Sequence, residues 1–305
     1  MENDRNAIAV VAQALYQRRV SELAQIASSE QVDRFLTLVL DLGPLDSYST
    51  VPANARAMVH EMQVAGGERH TQAFLGCVLA RAIVNTLASD AFAALPTRIA
   101  EHQLAQIVRI ATQLQAPQAP VWLSIDNDVF HKEFGLVTLR LYAAGAQVID
   151  PRCGIPRSLL IRGRFNELLA KLTSLIALGG FRPYFQIHTH TPMLGDFHAH
   201  GWEECYRCCA DLYAIHPEVL GMYGSSWFYD PALDAISPRL SYLRATPVEG
   251  GAKLFFVEEG GSAISNSLAT SASRRKLYED GTYLPKTYLL AWGKTPQIKW
   301  AESLS

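Results

Sequence analysis

Residues 183–204 read PYFQIHTHTPMLGDFHAHGWEE and hold four of the chain's nine histidines, all between His188 and His200. If Tyr184 to Thr191 is a strand bounded by Pro183 and Pro192, its period of two puts Tyr184, Gln186, His188 and His190 on one face. Phe185, Ile187 and Thr189 then take the other. One face is largely apolar and the other carries imidazoles. Asp196, His198 and His200 follow in a loop, and the segment from Gly201 reads as a helix whose first turn holds Trp202, Glu203 and Glu204. A strand, a histidine-rich loop and a helix in succession predict an α/β or α+β fold for this part of the chain.

Working outward, the spacing of Leu168, Leu169, Leu172, Leu175 and Ile176 predicts a helix over Asn166 to Leu178, ended by Gly179-Gly180. Further strands are predicted at Val121–Asp126, Leu136–Ala143, Val219–Tyr229, Leu240–Ala245, Lys253–Val257, Thr287–Trp292 and Gln297–Trp300. Helices are predicted at Trp202–Ile215 and Ser267–Glu279. The chain changes character near Ala116. Its first 115 residues contain nine arginines, eleven acids and no lysine. They keep helical spacing, as at Val32, Phe35, Leu36, Val39 and Leu40. Helices are expected near Ala53–Val64, Thr71–Ala88 and Thr97–Leu114. The segment Gln115 to Pro120, QAPQAP, is the expected boundary because its prolines break a helix. The expected organisation is a helical domain over 1–116 and a mixed α/β catalytic domain over 121–305.

Composition bounds the function. A chain of 305 residues with 49% hydrophobic and 18% charged residues is large enough to bury a substantial core. A formal net charge of -2 gives no reason to expect general nucleic-acid binding, which needs a basic face to replace phosphate counterions. No run approaches the ~18–20 apolar residues of a membrane span, and the first residues lack the plan of a signal peptide. Five cysteines, three of them at Cys205, Cys208 and Cys209, fit free thiols of a reducing, cytoplasmic compartment. On a helix Cys205 and Cys209 share the face of Trp202, Leu212 and Tyr213, which reads as buried thiols.

The histidines permit a metal site. His188 and His190 on one strand face, with a carboxylate from Asp196, Glu203 or Glu204, make a two-histidine, one-carboxylate set with open positions, and His198 and His200 are further candidate ligands. Such a set suits non-haem iron or zinc. A second constellation is Gly221 to Pro231, GMYGSSWFYDP. Here Ser225, Trp227 and Tyr229 are expected on one strand face as the wall of a small-molecule pocket. Arg152, Arg157, Arg162 and Arg164 lie in one loop region, where guanidinium groups can hold a carboxylate or phosphate. A small anionic or aromatic substrate is expected, and the N-terminal helices are a possible surface for homo-oligomers.

Three resemblances bear on this reading. His188-Thr-His190-Thr, with Asp196 behind it, resembles the HxHT opening of polymerase-and-histidinol-phosphatase type phosphoesterases. The histidine pairs are also similar to the HxHxDH of metallo-β-lactamase hydrolases, with Asp196 displaced. Near the C-terminus Ser273-Arg274-Arg275-Lys276-Leu277-Tyr278 followed by Glu279-Asp280-Gly281 resembles the last helix of the acetyltransferase superfamily. That resemblance implies Tyr278 as the acid that protonates a leaving thiolate. The chain lacks that superfamily's R/Q-x-x-G-x-G/A loop, so the implied donor is acyl-CoA held differently, a carrier-protein thioester or an aminoacyl-tRNA. Read otherwise, the same stretch is a solvated basic helix face.

The sequence therefore predicts a metal-dependent enzyme, with Glu203, Glu204 and Tyr278 as candidate catalytic groups. The alternatives are a metal-free acyl or aminoacyl transferase with His188 as general base, and a non-catalytic module binding a small molecule.

Overall fold

The computed structural model describes residues 2–23, 27–41, 43, 47–116, 118–162, 167–181 and 183–304. Pro117, Arg164 and the expected helix start at Asn166 lie outside them. The fold is α+β and divides into two units, 1–150 with 189–194, and 151–188 with 195–305. The division falls well past the proline-rich segment at 115–120.

The first unit carries α1 (Glu2–Leu23), α2 (Ser29–Leu40), α3 (Ala53–Leu87), α4 (Asp90–Ala93), α5 (Thr97–Gln115) and α6 (Asp128–Val137), followed by strand β1 (Tyr142–Ala144). Helix α2 forms because Val32, Phe35, Leu36 and Val39 make one buried stripe, and a capping box between Ser28 and Gln31 satisfies its first amides. Phe35 meets Phe74 of α3 edge to face, ring centroids 5.5 Å apart. Each such buried side chain contributes roughly 1.5–3 kcal/mol. The two helices expected between Ala53 and Ala88 are present within α3, which is broken by non-helical backbone at Gly66-Gly67, where Gly67 takes φ 68°, open to glycine at little cost.

Two expected strands are absent from this unit. Val121–Asp126 forms turns, and Leu136–Ala143 is divided between the end of α6 and β1. The alternating pattern misled because Asn127 starts a helix, its Oδ1 accepting the Val129 amide at 2.9 Å. Buried Gln103 then fixes the chain beyond α6. It donates to the Leu136 and Leu141 carbonyls, and its Oε1 accepts the Ala143 amide at 2.8 Å. Strand β2 (Gln147–Cys153) turns back antiparallel on β1, with Tyr142 opposite Ile149.

The second unit holds α7 (Leu168–Ala177), β3 (Tyr184–Thr189), α8 (Ala199–Leu212), β4 (Gly221–Ser226), α9 (Leu233–Ile236), α10 (Tyr242–Glu249), β5 (Lys253–Glu259), α11 (Ser262–Leu268), α12 (Ala272–Glu279), β6 (Lys286–Gly293) and α13 (Lys294–Glu302). Its strands lie in the order β3-β4-β6-β5. β3 and β4 run parallel, joined through α8, and β6 is antiparallel to both β4 and β5. One sheet face, including Tyr184, Tyr223, Phe255, Val257, Leu289 and Ala291, is covered by Ile155, Leu159 and Leu175. On the other face Phe185 stacks on Tyr213 of α8 at 5.1 Å, and Trp292 packs against Tyr206 and Trp300.

Several boundaries move here. Leu240–Ala245 ends a 3-10 turn and begins α10, and Gln297–Trp300 lies in α13, where Pro296 sits in the first turn as a helix permits. The expected helix over Ser267–Glu279 is two, because Ser271 breaks the first and caps the second by accepting the Arg274 amide at 3.3 Å. No helix among the described residues is long and apolar enough to cross a membrane.

Candidate active site

The ladder between β3 and β4 has two rungs, Phe185 with Met222 and Gln186 with Tyr223. Both strands run three residues further, and β4 stays paired to β6 as far as Ser226 with Tyr288. The pairing of the two parallel strands therefore ends at Gln186 and Tyr223, leaving a fork between Ile187-His188 and Gly224-Ser225. At its apex the Tyr223 hydroxyl donates to Gln186 Oε1 at 2.7 Å. Gly224 is required there, because a Cβ would run into Ile187 and the Tyr229 hydroxyl.

By the pleat, His188 and Ser225 are one step past Gln186 and Tyr223 on the same face of the sheet. His188 is half-buried and Ser225 exposed. The end of a ladder between parallel strands is a template for an extended ligand carrying amides.

Downstream of β3 the chain enters α8, whose N-cap is His198. Its Nδ1 accepts the Gly201 amide at 3.2 Å. His198 and His200 are exposed with parallel rings 6.4 Å apart. Gly201 is needed because a Cβ would meet the Asp196 carbonyl oxygen. Trp202, buried against Phe197, Tyr206 and Phe228, fixes the first turn. The remaining N-terminal amides of a fourteen-residue helix favour an anion, and two imidazoles beside them add to that preference.

The predicted metal ligands do not gather in the second unit. Among its described residues no three of the side-chain ligand atoms of His188, Asp196, His198, His200, Glu203 and Glu204 fall within 4.8 Å of one another. The spacing brought them close in sequence, but the helix cap occupies His198, and Arg207 lies 3.8 Å from both Glu203 and Glu204. His190 belongs to the first unit, where it is fully buried with Nε2 3.3 Å from Glu133 Oε1. Arg109 holds the other Glu133 oxygen at 2.6 Å. Beside this row Lys132 donates to the Thr189 carbonyl at 2.8 Å and to Asp128 at 2.6 Å. Glu133 and Arg109 carry no sequence signal, because each is a single charged position on its own helix, α6 and α5, and only the fold brings them together.

The pocket wall is rearranged as well. β4 ends at Ser226, and Trp227–Tyr229 form a 3-10 turn closed by the Asp230 amide on the Trp227 carbonyl at 3.0 Å. Ser225, Trp227 and Tyr229 therefore do not share one strand face. Tyr229 is buried, and burial pushes its phenol well up. Trp227 lies under the Arg274 guanidinium at 4.7 Å.

Arg274 is itself buried, donating to the Ser267 carbonyl at 2.8 Å and Ser237 Oγ at 3.1 Å, so α12 is not a uniformly solvated basic helix. Burial lowers its pKa, with Tyr283 opposing that effect. Nearby Asp230 has its carboxyl raised, chiefly by burial, although its Oδ1 accepts the Ala232 amide at 3.0 Å. Tyr278 is 36% exposed on α12. Arg152 and Arg157 are exposed. None of the five cysteines forms a disulfide, and burial pushes the Cys205 thiol far up, so it is an unreactive packing group.

The first unit also has an open cleft of about 580 Å³ lined by Arg56, His60, Gln63, Thr71, Ser124 and Asp126, among others. The ion pair of Arg56 with Asp126 at 2.8 Å satisfies its only guanidinium.

No protein family and no curated protein matches this sequence. Among solved structures, one described as an acyltransferase in complex with decanoyl-CoA superposes with a TM-score of 0.45 at 12% identity, over 92% of this chain and 86% of the other.

Proposed function

We propose that the chain is an acyltransferase that takes its acyl group from a pantetheine thioester. The observation that carries this reading is the fork between β3 and β4, whose pairing stops at Gln186 and Tyr223. A pantetheine arm is an extended chain with two amides, so it can lie in the fork as an added strand and bond to backbone groups along its edges. The amides at the start of α8, with His198 and His200 beside them, suit the phosphates at the end of that arm.

In this reading His188 is the general base. It takes the proton from an acceptor amine or hydroxyl as the acceptor attacks the thioester carbonyl. Backbone N–H groups of the fork stabilise the tetrahedral oxyanion. The C–S bond then breaks, the acyl group stays on the acceptor, and the thiolate is protonated. Tyr278 is the acid to test for that last step, by the superfamily resemblance. Glu203 and Glu204 are held by Arg207 and shape the surface of α8.

The test has two parts. Calorimetry with coenzyme A should show binding. Thiol release from acyl-CoA in the presence of a mixture of amines and alcohols should then fall at least a hundredfold in His188→Ala, with coenzyme A binding retained. If neither coenzyme A nor a phosphopantetheine carrier binds, or if His188→Ala keeps full turnover, the reading fails.

A further inference from the structure

Helix α7, LLAKLTSLIA, is arranged against its own composition. It buries its one charged residue, Lys171, together with Leu175, and exposes apolar ones. Lys171 Nζ donates to the Arg162 carbonyl at 2.6 Å and the Phe256 carbonyl at 3.1 Å, with Glu167 at 3.7 Å. Leu169 is 77% exposed and Ile176 76%, seven residues apart and so on one stripe. Ile161, just before the helix, is 86% exposed. Isolated exposed apolar side chains need no explanation, but three in one layer, outward of a helix that turns a lysine inward, mark a face made for a partner.

The surroundings indicate what kind. Arg157 and Arg162, next to Leu159 and to the Lys171 contact of this layer, are both exposed. The acids nearby are Glu258, 4.0 Å from Arg162, and Glu167 beside Lys171. Arginines around an apolar stripe complement a partner that is acidic with an apolar ridge. The layer also covers the sheet face of Tyr184 and Tyr223, the face on which His188 and Ser225 lie one step past the last rung.

Resting on the acyl-transfer reading, we propose that this α7 face docks an acidic, helical carrier protein whose phosphopantetheine thioester enters the fork. The carrier's carboxylates would meet Arg157 and Arg162 while its apolar ridge covers Leu169 and Ile176. Charge complementarity then speeds encounter, and burial of the stripe slows dissociation.

The experiment titrates the full chain with an acidic acyl carrier protein bearing phosphopantetheine, at low and moderate salt. Measurable binding that weakens with salt is expected. R157E/R162E should weaken it at least tenfold and flatten the salt dependence. L169D/I176D, at exposed positions that leave the fold intact by circular dichroism, should also weaken it at least tenfold while coenzyme A affinity stays unchanged.

The inference is overturned if the carrier does not bind, or if both double variants bind it as well as the parent. It is also overturned if L169D/I176D instead dissolves a dimer seen by light scattering, or abolishes binding to anionic lipid vesicles without touching carrier affinity. Coenzyme A binding without carrier binding defeats this inference alone. Absence of both defeats the acyl-transfer reading as well.

Discussion

The Tyr223 hydroxyl donates to Gln186 Oε1 at 2.7 Å on the last rung that joins β3 to β4. This bond sits where the two strands begin to part, so it sets the apex of the fork. Tyr223→Phe removes the donor and leaves a half-buried amide oxygen without it, at a cost of about 1 kcal/mol. Denaturant midpoints should record that loss. If the fork holds the donor, the same variant should raise KM for the thioester with kcat nearly unchanged.

Gly201 and Asp196 are in close approach at the start of α8. Gly201→Ala forces the Asp196 carbonyl away and disturbs the cap that His198 makes on the Gly201 amide. The expected result is a destabilisation of about 1–3 kcal/mol, as for other over-packed sites. Coenzyme A affinity should also fall severalfold, measured by calorimetry below the unfolding temperature. Unchanged affinity would separate the helix start from phosphate binding.

In the first unit Arg109, Glu133 and His190 form a row with Glu133 and His190 completely buried. Glu133→Gln leaves Arg109 without its carboxylate and is expected to cost about 3 kcal/mol, the scale of a broken buried pair. Unfolding curves against urea test this. A loss below about 1 kcal/mol would mean that the row is not a structural tie.

His131 provides a pH prediction. Burial lowers its pKa below the ordinary 6.5, outweighing a backbone bond with Ile125 and the nearby Asp128 and Asp126, while Arg56 adds to the lowering. The unfolded chain therefore binds the proton more readily than the folded one. Stability is full above the ordinary value and falls as pH drops through it, until the folded value is reached. His216, half-buried and lowered chiefly by burial, acts in the same direction. His131→Gln should shrink the loss of midpoint between pH 7.5 and 5.5, and an equal loss in parent and variant would remove His131 from that account.

Much of the fold followed from local pattern. The stripe of α2, the strands at β3, β5 and β6 and the buried face of α8 were legible because apolar periodicity reports burial directly. Alternation failed at Leu136–Ala143 and Gln297–Trp300, where an Asn cap in one case and a tolerated early proline in the other start helices. For the candidate site, Gln186, His188 and His198 lie in the quoted stretch and Tyr223 and Ser225 in the second constellation, but how they come together was readable from neither. Sequence proximity made His188, His190, His198 and His200 look like one cluster.

By itself the sequence determined that 183–204 pairs a strand with a helix around a concentration of imidazoles, and that the chain carries a formal net charge of -2. Only the tertiary structure decided that His190 turns to Glu133, that His198 caps a helix, and that β3 and β4 part where Gln186 meets Tyr223. These are contacts between residues distant in sequence or choices of hydrogen-bond partner, and periodicity carries no information about either. The burial of Lys171 and exposure of Leu169 belong to the same class, because a helix's own pattern names two possible faces and the neighbouring strands select one.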